Sequence, residues 1–541
     1  MDLSQITKGT QYFPSASHGD LEKMLIKVLT VLTLLAGLIH AKLCTKRCYP
    51  GNDCFPTKQS LEDFGKTFSG ELLFPADNEF DKEILTWNRW FTKSPAVIVF
   101  PKSVNDVRAA MLFAKSKNLH VTIRSSGHDF IGRSTFPGSF MINLSRMKNV
   151  SVDLTSSRNP AGEATIESGA QWGNVYQLLD GYNRVIVGGS AHTVAQGGYF
   201  QGGGHSPVGR SLGLAVDQIL DLTVVSVDGR IIKCNATGST VQETNGSTSI
   251  NSDTDLFWAL RGGGGGTFGV VVSYTYRLHF QPTQMTVAYF STALSLNGDN
   301  SIGIRFFEVY NEFVKNMPKG WGGYMIMSNT EFYIYPYGNF VGLVTFVLNH
   351  FGTVSQASMD ALNKFKVLSP SPWYVVNVTS FWQYAQNVTD GPSGNGYLAN
   401  TFVQRDHLND DFRDYMLSVM TKKPSAEYPS HYCTGTHIGE VDLNSTPVHP
   451  GFRSGLISLS CSVDMGTDPE RYGISIKRGK ELYSGLKRFG NGVYVNEPSP
   501  DMSDWKEQFW GNHYTKLLEI KRKWDPDNFL YCVHCVGSDM D

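Results

Sequence analysis

Glycine is the most unevenly placed residue in this chain: there are 54, many gathered into short bunches between apolar stretches. Three bunches fall within about 145 residues. They are Arg124-Ser-Ser-Gly-His-Asp-Phe130, the run from Gly188 to His205, and Arg261-Gly-Gly-Gly-Gly-Gly-Thr-Phe-Gly269. Without a Cβ in the way, backbone N–H groups can converge on a pyrophosphate. One such loop alone is weak evidence, because a five-glycine run is often a flexible turn. Three, each bordered by apolar strands, favour a large phosphate-bearing cofactor. No G-x-x-x-x-G-K-[ST] pattern is present, and no G-x-G-x-x-G opens a helix after the first strand. A P-loop and a Rossmann dinucleotide site therefore lose ground.

Around these loops the pattern is α/β. Residues 95–101 form a short apolar strand closed by proline, Ser103 caps a helix over 104–118, and 120–123 is a strand running into the first glycine loop. Residues 218–226 and 269–276 add strands, with a helical turn or two at 255–260 between them. From about Gln281 the texture changes: 321–327, 331–337 and 341–348 alternate with period two, and helical stretches at 355–365 and 411–421 intersperse them. That pattern predicts an antiparallel sheet with helices on one face.

At 541 residues the chain exceeds one hydrophobic core. Its 47 basic and 49 acidic side chains nearly balance, which argues against a nucleic-acid-binding surface. Mean hydropathy is −0.21 and there is a single long apolar run, so a polytopic membrane protein is excluded. That run, residues 28–39, follows Lys23 and Lys27 and precedes Ala41, the layout of a secretory signal peptide; an N-terminal anchor is the alternative reading, and either Met1 or Met24 could start the chain. Eight cysteines (44, 48, 54, 234, 433, 461, 532 and 535) in an oxidising compartment read as disulfides, and Cys532-Val-His-Cys535 has no second pair to complete a zinc site. Seven N-x-S/T sequons begin at Asn143, Asn149, Asn235, Asn245, Asn377, Asn387 and Asn444; Asn143 lies in an apolar strand and is discounted.

The order and wording of the loops resemble the FAD-linked oxidases of the vanillyl-alcohol oxidase superfamily, in the berberine-bridge-enzyme-like branch. The resemblance runs from about Cys44 to Ser538. It is carried by Arg124-Ser-Ser-Gly-His128, the loop from Ala191 to His205, Arg261 to Gly269, and a tail with Tyr494-Val-Asn496, Trp505, Phe509, Gly511, Tyr514 and Asp525-Pro-Asp-Asn-Phe529. Asn496-Glu497-Pro498 and Cys48-Tyr-Pro-Gly-Asn-Asp-Cys54 look closer to microbial than to plant members.

The resemblance implies an α+β fold: an N-terminal cysteine-containing segment (42–91) after a leader (1–41), a two-lobed FAD domain (92–281), an α+β substrate domain with an antiparallel sheet (282–492), and a tail (493–541) packing back on the FAD domain. It places Arg124, Ser125, Ser126, Gly127, His128, Asp129, Ser190, Ala191, His192, Thr193, Gly197, Gly198, Gly202, Gly203, Gly204 and Gly269 at FAD. His128 stands where the family carries an 8α-histidyl bond to flavin. Ala191 stands where doubly tethered members have cysteine, which implies one covalent bond. No metal is implied.

FAD accepts hydride at N5 in such enzymes, and the protein supplies placement and a base. Tyr494 and Asn496 match a Y-x-N strand facing the flavin; Tyr494 reads as base or orienter, or else as a buried structural tyrosine. Glu497, next along, is expected to point away. The strand at 456–462 contains no acid, so a carboxylate base is not expected. His437 and Arg453 read as surface or cavity-lining residues, with the surface favoured. Val194 would control access of O2, as the residue at its position does in the family. The expected activity is secreted oxidation of an alcohol, sugar or related small molecule, with O2 yielding H2O2. The alternative is a flavin-retaining carbohydrate-binding or interaction protein with little turnover. No nucleic-acid partner and no membrane contact after leader removal are expected, and a monomer is favoured.

Overall fold

The computed structural model describes residues 47–540 except 369–372, 389, 391–393 and 440–444. The leader, Cys44 and the sequon at Asn444 lie outside the described residues. The fold is α+β, and among the described residues its strands form three large sheets and one short pair.

The first sheet follows from the opening pattern. Val97–Phe100 is buried at every position and pairs in parallel with Phe140–Asn143, which pairs in parallel with Val121–Arg124. The helix Val104–Ser116 starts where the Ser103 side chain accepts the Asp106 N–H at 3.2 Å, and it buries Val107, Ala110, Met111 and Ala114 at helical spacing. Asn143 is buried and its side chain accepts the Ser145 N–H, which places that sequon out of reach of modification. The second sheet has seven antiparallel strands, with Ile219–Val225 and Val270–Arg277 paired at its centre.

The third sheet, also seven-stranded and antiparallel, positions the site. Its alternation divides two faces. Met325, Met327, Cys433, Leu459, Cys461 and Val463 enter a core shared with Phe306 and Tyr310 of the helix Ser301–Lys315, and with Met416 and Leu482 of two further helices. Tyr324, Ile326, Tyr432, Thr434, Thr436, Ser460 and Ser462, at the intervening positions, line a cavity. Residues 321–327 and 331–337, read as separate stretches, belong to one strand, Trp321–Ile334, with a register shift between Ser328 and Glu331, and 335–337 form the turn after it.

Beyond residue 493 the chain packs into the core of the second sheet: Tyr494, Phe509, Trp510 and Leu517 join Phe268 and Leu260 there. Trp510 Nε1 donates to Gly262 O at 2.9 Å, and fully buried Lys521 donates to Thr267 O at 2.8 Å while paired with Asp525. These bonds anchor the third glycine loop. Disulfides join Cys433 to Cys461 across adjacent strands and Cys532 to Cys535. Cys234 departs from the all-disulfide expectation: it is a free thiol, buried in the second sheet, where burial pushes it up to about 12.

Candidate active site

A cavity of about 450 Å³ lies between the three glycine loops and the substrate-facing side of the third sheet. The first loop is shaped from below. Arg124 is buried, and its guanidinium donates to Ile84 O at 2.9 Å and to Leu85 O. Gly127, at φ +82°, passes so close that a Cβ would meet that guanidinium at 2.3 Å. Asp129 holds the far end of the loop by accepting the N–H groups of Ile131 and Arg133 at 2.8 and 3.0 Å, together with that of Gly132. Ser125, Ser126, Gly127, His128 and Asp129 line the cavity; Arg124 does not, being spent on the loop's support.

In the second loop Ser190, Ala191, Val194, Gly197 and Gly198 line the cavity. His192 points elsewhere, bonding Ala385 O at 2.9 Å and stacking on Trp382. Thr193 sits one layer back, with Oγ1 2.7 Å from His128 Nε2 and bonded also to the Asp390 carboxylate. Gly202, Gly203 and Gly204 are behind the wall, where close packing against Asn496, Phe452 and Ala215 leaves no room for a Cβ. Gly269 opens the strand Val270–Arg277 against Val224 and does not reach the cavity.

Tyr494 and Asn496 do line it, but from a turn and not a strand, and the alternation argument for Glu497 fails with the strand. The Tyr494 hydroxyl accepts from Gly204 N at 3.2 Å and from Asn496 Nδ2 at 3.0 Å. Burial, with the Glu497 charge added, raises the phenol well above its ordinary value despite these donors. Glu497 turns inward. Its carboxylate accepts from His205 Nε2 at 3.0 Å and from Ser460 Oγ, on the strand that itself carries no acid before Asp464. Burial alone would raise this carboxyl; the His205 charge and hydrogen bond and the Ser460 bond outweigh it and hold it below the ordinary glutamate value. Of the three lining carboxylates, Asp129 and Asp390 are occupied by backbone amides, whereas Glu497 bonds side chains only. His437 and Arg453 are neither surface nor lining. His437 is buried between Gly323 O and Tyr310, and Arg453 makes a bidentate pair with Asp217 at 2.6 Å.

The cavity fits FAD on two observations. A Cβ on Gly198 would meet nothing within 4 Å, so the backbone of the second loop is bare where it lines the cavity. Arg133 Nη2, Ser134 Oγ and Gln201 Oε1, all on lining residues, are buried with no hydrogen-bond partner among the described residues, and a guanidinium among them suits an anionic pyrophosphate. Arg133, Ser134 and Asp390 stand outside the glycine loops and were not expected at the cofactor, whereas Gln201 lies in the second loop and Gly265 and Gly266 in the third.

Residues 95–235 match the FAD binding domain, and 493–536 match the family described as berberine and berberine like. An FAD-linked oxidoreductase of Arthroderma benhamiae is 28% identical over 91% of this chain and 94% of its own. The VAO-type flavoprotein oxidase VAO615 of Thermothelomyces thermophilus is 27% identical over 82% of this chain and 76% of its own. Among solved structures, the VAO-type flavoprotein MtVAO615 of Myceliophthora thermophila C1 superposes with a TM-score of 0.73 at 23% identity, covering 91% of this chain and 97% of that one. A xylooligosaccharide oxidase from the same source is similar at TM-score 0.70 and 20% identity, over 88% and 98%. With glycine loops of an FAD binding domain on one side of the cavity and a berberine-like tail completing it, this chain is an FAD-linked oxidoreductase that is similar along most of its length to VAO-type and berberine-bridge-like proteins.

Proposed function

We propose that the protein is a secreted oxidase of an alcohol, sugar or related small molecule, with Glu497 as proton acceptor. The observation that carries this reading is the Glu497 carboxylate, held ionised between His205 and Ser460 in the cavity of the glycine loops. Bound FAD supplies the hydride acceptor. Ser125, Ser126, Gly197 and Gly198 hold the cofactor from one wall, with Arg133 at its phosphates. Across the cavity, Thr434, Thr436 and Ser462 offer hydroxyls to a polar substrate and Tyr324 and Tyr432 offer ring faces. Glu497 takes the proton from the substrate hydroxyl while the adjacent carbon gives up hydride. His205 and Ser460 fix the acceptor oxygens, and Tyr494, kept neutral and braced by Asn496, orients the hydroxyl.

His128 is the proposed covalent anchor for FAD, alone because Ala191 has no thiol. Val194, on the same wall, sets the access of O2, which leaves as H2O2. The oligosaccharide oxidases among the solved structures support a sugar within the substrate class. Removal of residues 1–41 and glycosylation at exposed Asn377 or Asn387 complete the secreted reading. An anaerobic substrate panel that bleaches the flavin, followed by peroxide on readmission of air, tests the function. A flavin that no panel member reduces would instead favour the binding protein.

A further inference from the structure

We propose that Thr193 and Asp390 form a relay that fixes the tautomer of His128 and leaves its Nδ1 as the nitrogen that bonds the flavin. The inference rests on the proposed His128 anchor, gives Thr193 of the second glycine loop a specific role and adds Asp390, which no loop motif pointed to. Thr193 Oγ1 bonds both His128 Nε2, at 2.7 Å, and the Asp390 carboxylate. A hydroxyl has one hydrogen, and a carboxylate only accepts. The Thr193 hydrogen therefore goes to Asp390, and Oγ1 must accept Nε2–H. Asp390 is itself fixed by the N–H groups of His192 and of Thr193, the latter at 3.0 Å. Nδ1 then holds the lone pair on a residue that lines the cavity, and it makes no hydrogen bond among the described residues.

Burial keeps the ring neutral. Burial lowers His128 to about 4, Asp390 opposes this, and Arg124 beneath the loop adds to it. A neutral ring is the nucleophile. As the carbon–nitrogen bond forms between Nδ1 and the flavin's 8-methyl carbon, that carbon loses one proton and the imidazole loses the one on Nε2. The flavin takes up both protons with the two electrons and is left reduced, and O2 then reoxidises it to give H2O2. Through Thr193, Asp390 steadies the positive charge that grows on the ring as Nδ1 bonds. Both are positioning residues, acting through His128.

The test compares wild type, Thr193→Val, Thr193→Ser and Asp390→Asn as purified holoproteins. FAD is measured before denaturation and again on the acid-precipitated polypeptide. A variant isolated without flavin is incubated with FAD in air, and its acid-stable flavin is followed with time. Wild type and Thr193→Ser are expected to keep their flavin through precipitation. Thr193→Val and Asp390→Asn are expected to bind FAD but attach it at least about tenfold more slowly. Attachment at the wild-type rate in Thr193→Val, or failure of that variant to bind FAD at all, would overturn the relay. Should Asp390→Asn not fold, Thr193→Val decides, since it keeps the backbone bonds to Asp390. Loss of all flavin from wild type on precipitation would instead overturn the His128 anchor.

Discussion

Glu497 and His205, separated by 292 residues, meet at 3.0 Å on the wall of the cavity, the carboxylate from the tail accepting the imidazole nitrogen from the second glycine loop. The pair makes the tail part of the reaction chamber. It also supplies a carboxylate beside a strand whose cavity-facing residues there are Ser460 and Ser462.

Oxygen reactivity is expected to depend on Val194. Interiors are close-packed, so one added methylene on the cavity wall fills the space a diatomic gas needs; Val194→Ile is expected to slow reoxidation by O2 on the order of tenfold. Stopped-flow mixing of reduced enzyme with O2 measures it, and an artificial acceptor should reoxidise both forms equally fast. Equal O2 rates in the two forms would remove Val194 from this role.

Stability is expected to fall as pH drops from about 6.5 towards 4. Burial lowers His437 to about 3 and His431 and His449 to about 4, against an ordinary value of 6.5. Within that window the unfolded chain binds more protons than the folded one, so stability is full above it and declines with falling pH. Urea midpoints at pH 7.5, 6 and 5 measure the decline. A flat profile would mean these rings stay accessible to protons.

Removing the Cys433–Cys461 bridge is expected to lower stability by about 3.6 kcal/mol on the chain-entropy model, its ends being 28 residues apart. Cys433→Ser with Cys461→Ser, compared in denaturant with wild type, checks this. The pair points into the helix-covered core and away from the cavity, so flavin content should not change.

The glycine loops were legible because their requirement is local. Gly127 needs its left-handed φ and cannot carry a Cβ beside Arg124, whatever the rest of the chain does. The third sheet was legible through the alternation that sends Met325 to the core and Ile326 to the cavity. Long-range encounters were not. Nothing near Asp390 announces that it bonds Thr193, 197 residues away, and nothing near Glu497 announces His205. Arg124 misled in the other direction: a motif arginine beside phosphate-loop glycines reads as a ligand, yet its donors serve Ile84 and Leu85. At 494–496 the assumed strand was a turn, which reversed the side to which Glu497 points.

The central claim is that Glu497 accepts the substrate proton, and the most direct measurement is anaerobic stopped-flow reduction of the flavin by a turnover substrate, wild type against Glu497→Gln. Glutamine keeps the shape and can still meet Ser460 and His205, but it cannot take a proton. Flavin content and substrate binding are expected to be retained while the reduction rate falls by roughly 10²–10⁴. Because His205 and Ser460 hold Glu497 below 4.5, the wild-type rate should show no loss through protonation of this group above that pH. A Glu497→Gln enzyme that reduces its flavin at the wild-type rate would contradict the account.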